Sequence, residues 1–271
     1  MYGTNTFWMY YTAGWQTQYI KRATSSDLIT WTADTSYRLT NYAHSCQLLI
    51  TNSIWCYGTA QPAVTSVDLF VAADLTNFVK VATNVLSCGA AGTWDAAYFG
   101  NSAVYQESSN LWWNMYDAKS STNNAWFAGI AQSTDGVHWV KSAANPLNIP
   151  PYGLGITAGG SCADAWITKT NGYYVAFGGY NDRTYMTRIG MWTSPDMTNW
   201  TQKPYPCSLV SVREASEGGG SATSQMVDPS LIEYNGATYM FFTCMPTQGT
   251  SGANGYIMAS KYYGTIGSLP H

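Results

Sequence analysis

Short runs of apolar residues alternate with polar turns along the whole chain, and no stretch has the three-to-four-residue spacing of an amphipathic helix. In SLIEYNGATYMFFT (230–243), two runs rich in aromatic and aliphatic residues flank Asn235-Gly236. Asn-Gly between two such runs is the usual sequence of a tight β-hairpin. Comparable pairs of runs are QLLITNSIWCYG (47–58), SAVYQESSNLWWNMY (102–116) and AWITKTNGYYVAF (165–177). The pattern predicts an all-β protein built from hairpins.

A second pattern, Asp followed four residues later by an aromatic residue, comes after an apolar run each time. It occurs as DLITW (27–31), DLTNF (74–78), DGVHW (135–139) and DMTNW (196–200). The aspartates are 47, 61 and 61 residues apart, and a further 61 residues leads to Ile257, in a strand-like segment without the phrase. We interpret the phrase as a hairpin turn whose carboxylate accepts backbone N–H groups and whose ring packs beneath it. Asp27, Asp74, Asp135 and Asp196 are therefore expected to be structural.

Each repeat contains two hairpins, and four strands per repeat is typical of a β-propeller blade. The repeats predict one five-bladed domain over residues 1–271. The blades cover roughly 1–40, 41–87, 88–147, 148–208 and 209–271. FWMYYT near the start aligns with YMFFT, a second strand, so the first blade is expected to lack its innermost strand. The resulting open sheet edge would allow homo-oligomerisation.

Charge and composition narrow the function classes. The 271 residues include 15 acidic and 12 basic residues without a run of either sign, which argues against nucleic acids and anionic membranes as partners. No apolar run is long enough to span a membrane, and the chain begins without the features of a signal peptide. The six cysteines form no Cys-x-x-Cys pair, so no metal site is predicted, and their pairing stays open.

Three segments resemble the five-bladed propeller glycosidases related to glycoside hydrolase families 43, 32 and 130. They are VDPSLIEYNGATYMFF, AGIAQSTDGVHWVKSAANPL and ADAWITKTNGYYVAFGG. STDGVHW is also similar to the Asp-box of sialidases, but five repeats leave no room for their sixth blade. The resemblance implies a sugar-binding funnel on the central axis, with two carboxylates flanking the glycosidic bond as general acid and as base or nucleophile.

Residues just before each innermost strand are the candidates for this chemistry. We interpret Asp164 and Asp228 as the paired carboxylates, and Asp95 as a further catalytic candidate. Glu217 is a fourth, because it lies in the Gly-rich loop SVREASEGGGSAT (211–223). The alternatives are a turn aspartate for Asp164, a strand-opening Asp-Pro for Asp228, a structural hydrogen bond for Asp95 and a solvated loop carboxylate for Glu217.

Four other residues are candidates for binding the sugar. Asn101 aligns best with the supporting aspartate of family 43, whose acid glutamate falls at Ala163 and whose base lies on the strand absent from the first blade. His44 is a candidate ligand of a sugar hydroxyl, or else a core histidine. Trp94 and Trp166 have flat apolar faces that match a pyranose, or else belong to the core.

The leading hypothesis is therefore a glycoside hydrolase that acts on a poly- or oligosaccharide and is extracellular or exported. The chemistry requires no cofactor, and a calcium ion on the axis is an open alternative. A second hypothesis is a non-catalytic glycan-binding propeller, such as an adhesin or tail-fibre domain. A third is a rigid structural platform.

Overall fold

The computed structural model describes residues 6–14, 18–120, 126–147, 149, 163–182, 186–203, 225–245 and 256–269. These residues form nineteen β-strands and a short 3₁₀ turn at Ile266–Ser268. The strands are grouped into successive antiparallel sheets, each lying inside the range of one predicted blade, and one parallel pairing, Thr187 opposite Gln225, joins the fourth sheet to the fifth. The fold is an all-β, five-bladed β-propeller, as the sequence predicts.

The first unit of the chain, Met1–Cys88, contains two sheets. The first sheet consists of β1 (Phe7–Ala13), β2 (Tyr19–Ser25), β3 (Thr32–Ala33) and β4 (Leu39–Thr40). β2 pairs with the other three strands, and within residues 6–40 the second edge of β1 has no strand partner. The second sheet has the order β5 (Tyr42–Ile50), β6 (Ser53–Ala60), β7 (Ser66–Ala72) and β8 (Val79–Ser87). Ile20, Leu39, Cys56 and Phe70 form a buried cluster of this unit.

The second unit, Gly89–His271, contains three sheets. The third sheet comprises β9 (Tyr98–Ser108), β10 (Leu111–Lys119), β11 (Phe127–Ser133) and β12 (Trp139–Lys141). The fourth comprises β13 (Ala163–Thr170), β14 (Tyr173–Asp182), β15 (Met186–Ser194) and β16 (Thr201–Gln202). The fifth comprises β17 (Gln225–Tyr234), β18 (Ala237–Met245) and β19 (Tyr256–Tyr262). Because the chain divides in this way, the single domain stays a prediction.

Two apolar clusters hold the second unit together. Met115 and Ile130 of the third sheet pack with Trp192 of the fourth. Phe177 of the fourth sheet packs with Met240 of the fifth. Consecutive sheets therefore bury their facing side chains against each other, and this burial fixes the spacing of β9, β13 and β17 within the unit.

The repeated Asp-x-x-x-aromatic phrases form the turns that the sequence predicts. In the turn after β15, Oδ1 of Asp196 accepts hydrogen bonds from the backbone N–H groups of Thr198 and Asn199 at 2.9 and 2.8 Å. The indole of Trp200 donates to the carbonyl of Met197 at 2.8 Å. Equivalent carboxylate-to-backbone bonds occur at Asp27, Asp74 and Asp135. The structural interpretation of these aspartates is confirmed.

Candidate active site

Each of the strands β5, β9, β13 and β17 contains a bulge near its start, where two residues lie opposite a single residue of the next strand. The bulge pairs are His44-Ser45 opposite Gly58, Gly100-Asn101 opposite Asp117, Asp164-Ala165 opposite Gly178, and Asp228-Pro229 opposite Phe242. The bulges interrupt the regular pairing, which continues on both sides of them. His44, Asp164 and Asp228 are the first residues of their bulge pairs, whereas Asn101 is the second residue of its pair.

Three of these bulges place a polar side chain on a left-handed backbone. His44, Asp164 and Asp228 have φ angles of 47°, 53° and 55°. A residue with a β-carbon costs roughly 1 kcal/mol or more in this conformation, and glycine avoids that cost. Because ionisable side chains occupy positions that glycine would take at lower cost, we expect these side chains to have a function.

The side-chain amide of Asn101 joins two of the candidate carboxylates. Its Nδ2 donates to Oδ1 of Asp164 and, at 3.1 Å, to Oδ1 of Asp228. An amide nitrogen has two hydrogens, so it can satisfy both acceptors at once. The structure thus brings Asn101 together with Asp164 and Asp228, which lie 63 and 127 residues after it in the chain.

The two carboxylates of this pair differ in their surroundings. Asp228 is exposed, whereas Asp164 is half-buried. Burial raises the pKa of Asp164 well above its ordinary value, and the negative charges of Asp228 and Asp117 raise it further. The hydrogen bond from Asn101 opposes this shift only in part. The raised pKa extends to higher pH the range in which Asp164 is protonated, as a general acid requires.

Asp117 is a member of this group that the sequence does not reveal. It lies on β10, is only 6% exposed and accepts the backbone N–H of Asn101 on Oδ1 at 2.8 Å. The available signal is an acidic residue between Met115-Tyr116 and Ala118, which are all buried. Its neighbours are set by the bulge in β9, which no local pattern predicts.

Asp95 and Trp94 occupy a different environment. Oδ2 of Asp95, which is 3% exposed, lies 2.5 Å from Nζ of Lys141, and Oδ1 accepts a hydrogen bond from Thr93 at 2.8 Å. Trp94 stacks on Tyr116 with ring centroids 5.7 Å apart. Both side chains thus have structural partners, which favours the structural alternatives stated for them, and their functional roles stay predictions.

The remaining candidates are less closely tied to the carboxylate pair. Trp166 is half-buried and packs against the apolar cluster that contains Phe177. His44 belongs to the first unit and is half-buried at its bulge. Glu217 lies outside the described residues. Sugar binding by Trp166 and His44 and catalysis by Glu217 stay predictions.

No three His, Cys, Asp or Glu side chains of the described residues converge closely enough to hold a metal ion. A calcium ion on the axis stays an open alternative. Within the part of the chain that the structure describes, no helix has the length and apolarity needed to cross a membrane.

No protein-family model and no curated protein matches this sequence. Solved structures do match the chain. A thermostable family-43 glycoside hydrolase aligns with 99% of this chain and 89% of its own, at a TM-score of 0.73 and 12% identity. The endo-arabinase of Bacteroides thetaiotaomicron aligns with 98% of this chain and 92% of its own, at a TM-score of 0.67 and 11% identity. The Bombyx mori family GH32 β-fructofuranosidase aligns with 96% of this chain and 57% of its own, at a TM-score of 0.64 and 14% identity.

The chain has the propeller fold of these glycoside hydrolases. The expected resemblance is thereby confirmed at the level of the fold, while the low identities carry no reaction or substrate over to this chain. At the bulges of β9, β13 and β17, one amide and two carboxylates meet.

Proposed function

We propose that this propeller is a glycoside hydrolase that acts on a poly- or oligosaccharide, with Asp164 and Asp228 as its paired carboxylates. The observation that carries the proposal is the Asn101 amide, which joins the two carboxylates at the starts of separate sheets. The proposal is supported by the names of the structural neighbours, which include a family-43 glycoside hydrolase, an endo-arabinase and a β-fructofuranosidase. A polysaccharide substrate implies that the protein is exported.

The environments of the two carboxylates suggest separate roles. Asp164, whose pKa is raised by burial and by neighbouring charges, keeps a proton and donates it to the glycosidic oxygen. Asp228 is exposed, so a sugar ring can approach it from solvent. As a carboxylate, Asp228 acts at the anomeric carbon or on a water molecule beside it.

The shared amide also limits the distance between the two groups. Two ordinary hydrogen bonds to one nitrogen place their acceptor oxygens no more than roughly 6 Å apart. Retaining glycosidases have carboxyl groups about 5–5.5 Å apart, and inverting enzymes need about 6.5–9.5 Å to admit a water molecule. The pair therefore suits retention, in which Asp228 attacks the anomeric carbon and forms a covalent glycosyl intermediate.

A panel of chromogenic glycosides and polysaccharides tests the proposal. We expect turnover by the wild type and a loss of about 10²–10⁴-fold in kcat for Asp164→Asn and for Asp228→Asn. Asp74→Asn, in the turn between β7 and β8, is the matched control and should keep wild-type activity. Proton NMR of the first product formed should show the anomer of the substrate. Unchanged turnover by Asp164→Asn would remove Asp164 from the mechanism.

A second candidate function is a glycan-binding propeller without catalysis. It is favoured by the first sheet, because family 43 carries its base on the innermost strand of that blade. Among the described residues, no strand pairs with the second edge of β1. Glycan-array binding by the wild type, with no turnover of any glycan that binds, would support this candidate against hydrolysis.

A further inference from the structure

The third sheet reverses the arrangement found at the bulges of the second and fourth sheets. In those two sheets the bulge residue carries a side chain, His44 or Asp164, and the residue opposite is a glycine, Gly58 or Gly178. In the third sheet the glycine is at the bulge and the residue opposite is Asp117. The acidic side chain of this sheet thus comes from β10 instead of β9.

The space beside Gly100 explains why a glycine is required there. A β-carbon on Gly100 would lie 2.8 Å from Cγ of Asp117 and would overlap its carboxylate oxygens. Gly100 is not among the residues with left-handed backbone, so it is needed for this close approach and not for its conformation. The carboxylate of Asp117 therefore fills the position that a side chain on β9 would take.

Asp117 connects this position to the carboxylate pair. Its Oδ1 accepts the backbone N–H of Asn101 at 2.8 Å, while the side chain of the same residue donates to Asp164 and Asp228. The charge of the same carboxylate also raises the pKa of Asp164. Asp117 thus acts on the pair both through the backbone of Asn101 and through its charge.

We propose that Asp117 is the positioning residue of this site, fixing Asn101 from β10 so that its amide holds Asp164 beside Asp228, and keeping negative charge next to Asp164. This inference rests on the proposed function for its catalytic consequence, but not for the arrangement itself. Among the described residues, the charged groups that act on Asp164 are Asp228 on β17 and Asp117 on β10. Both raise the pKa of Asp164, although burial is the largest cause of the shift.

The variant Asp117→Asn separates charge from geometry, because an asparagine oxygen can still accept the N–H of Asn101. We would label the aspartate carboxyl carbons with ¹³C and follow their NMR titration, identifying the Asp164 signal as the one that disappears in Asp164→Asn. In Asp117→Asn the Asp164 signal should titrate at lower pH than in the wild type. Asp68→Asn, which removes another buried carboxylate, is the control and should leave the Asp164 titration unchanged.

The variant Gly100→Ala tests the positioning role separately, and it serves if Asp117→Asn fails to fold. The added methyl group displaces the Asp117 carboxylate, so kcat should fall by about 10²-fold while KM changes by less than about threefold. In Asp117→Asn, the limb of the pH–rate profile that reports the acid should move to lower pH, as the NMR signal does.

The inference is overturned if Asp164 titrates at the same pH in Asp117→Asn as in the wild type. Failure of the proposed function gives a different result, in which no glycoside is turned over by any protein while the Asp164 signal still moves. Turnover by the wild type, with unchanged titration and unchanged kcat in both variants, would retain the hydrolase and reject the role of Asp117.

Discussion

Nδ2 of Asn101 lies 3.1 Å from Oδ1 of Asp228, although the two residues start strands in different sheets. The same nitrogen donates to Asp164, so one neutral amide separates two carboxyl groups that would otherwise repel each other. This relationship makes Asn101 important for stability as well as for the proposed chemistry.

Replacement of Asn101 by leucine is expected to destabilise the protein by about 2 kcal/mol at pH 7, because two acceptors lose their donor. The hydrogen bond from Asn101 lowers the pKa of Asp164, so its loss raises that pKa further. A carboxyl pKa that is higher in the folded state than in the unfolded state lowers the free energy of unfolding as pH rises. The destabilisation caused by the substitution should therefore grow between pH 5 and pH 8. Thermal unfolding across this range measures it. A penalty that shrinks with rising pH would contradict the bridging role.

Asp164→Asn is expected to stabilise the fold at neutral pH even as it removes activity. Burial and neighbouring charges raise the pKa of Asp164 in the folded state above the ordinary value of 3.8, so folding favours the protonated form. The resulting stability is complete below pH 3.8 and is lost as pH rises towards the folded pKa. The neutral amide avoids that loss. The melting temperature of the variant should match the wild type near pH 4 and exceed it at pH 7, by about 2–4 °C for each kcal/mol gained.

Asp74→Asn is the control for this prediction, because hydrogen bonds from the backbone of Asn77 and Thr76 lower the pKa of Asp74. Its substitution should lower the melting temperature at pH 7 and have less effect in acid. Equal signs for the two variants at pH 7 would show that the Asp164 effect does not come from its raised pKa.

Repeated local patterns predicted the sheets because hairpin signals depend on neighbouring residues. Asn235-Gly236 takes φ angles of 50° and 71° between β17 and β18, as a two-residue hairpin turn requires. The positions of Asp164 and Asp228 near the starts of β13 and β17 are predictable for the same reason, since counting hairpins locates the start of each inner strand. The sequence does not single out Asp117, because its neighbours Gly100 and Asn101 are set by cross-strand register. Nor does it predict the stacking of Trp94 on Tyr116, which depends on packing between distant segments.

In the turn after β15, the stability contributed by Asp196 is expected to change with pH in the direction opposite to that of Asp164. Backbone hydrogen bonds from Asn199 and Thr198, with the Asn199 side chain, lower the pKa of Asp196 to about 2. The stability from this carboxylate is therefore present above pH 3.8 and lost as pH falls towards 2. Asp196→Ala should cost about 1 kcal/mol at pH 7 in urea unfolding. The difference from the wild type should disappear near pH 2, and a difference that persists there would require another cause.

Glu107 joins the third and fourth sheets through three donors, and its removal should weaken this contact. Nζ of Lys169 lies 2.5 Å from Oε1, while the hydroxyl of Tyr174 and, at 2.9 Å, the indole of Trp113 donate to Oε2. In Glu107→Gln, an NH2 group replaces one acceptor oxygen and faces a donor. We expect the free energy of unfolding to fall by about 2 kcal/mol, somewhat less than when a fully buried ion pair is broken. Urea unfolding at pH 7 measures the loss.

A double-mutant cycle with Lys169→Met isolates the ion pair from the other two bonds. The side chains of Glu107 and Lys169 are 20% and 30% exposed, so the coupling energy should exceed that of a surface pair and reach about 1 kcal/mol. Burial raises the pKa of Glu107, but hydrogen bonds from Lys169, Tyr174 and Trp113 outweigh it and lower the pKa overall. The coupling should therefore be complete above pH 4.5 and decline as pH falls below it. Coupling near zero at pH 7 would mean that Tyr174 and Trp113, and not the ion pair, hold Glu107 between the two sheets.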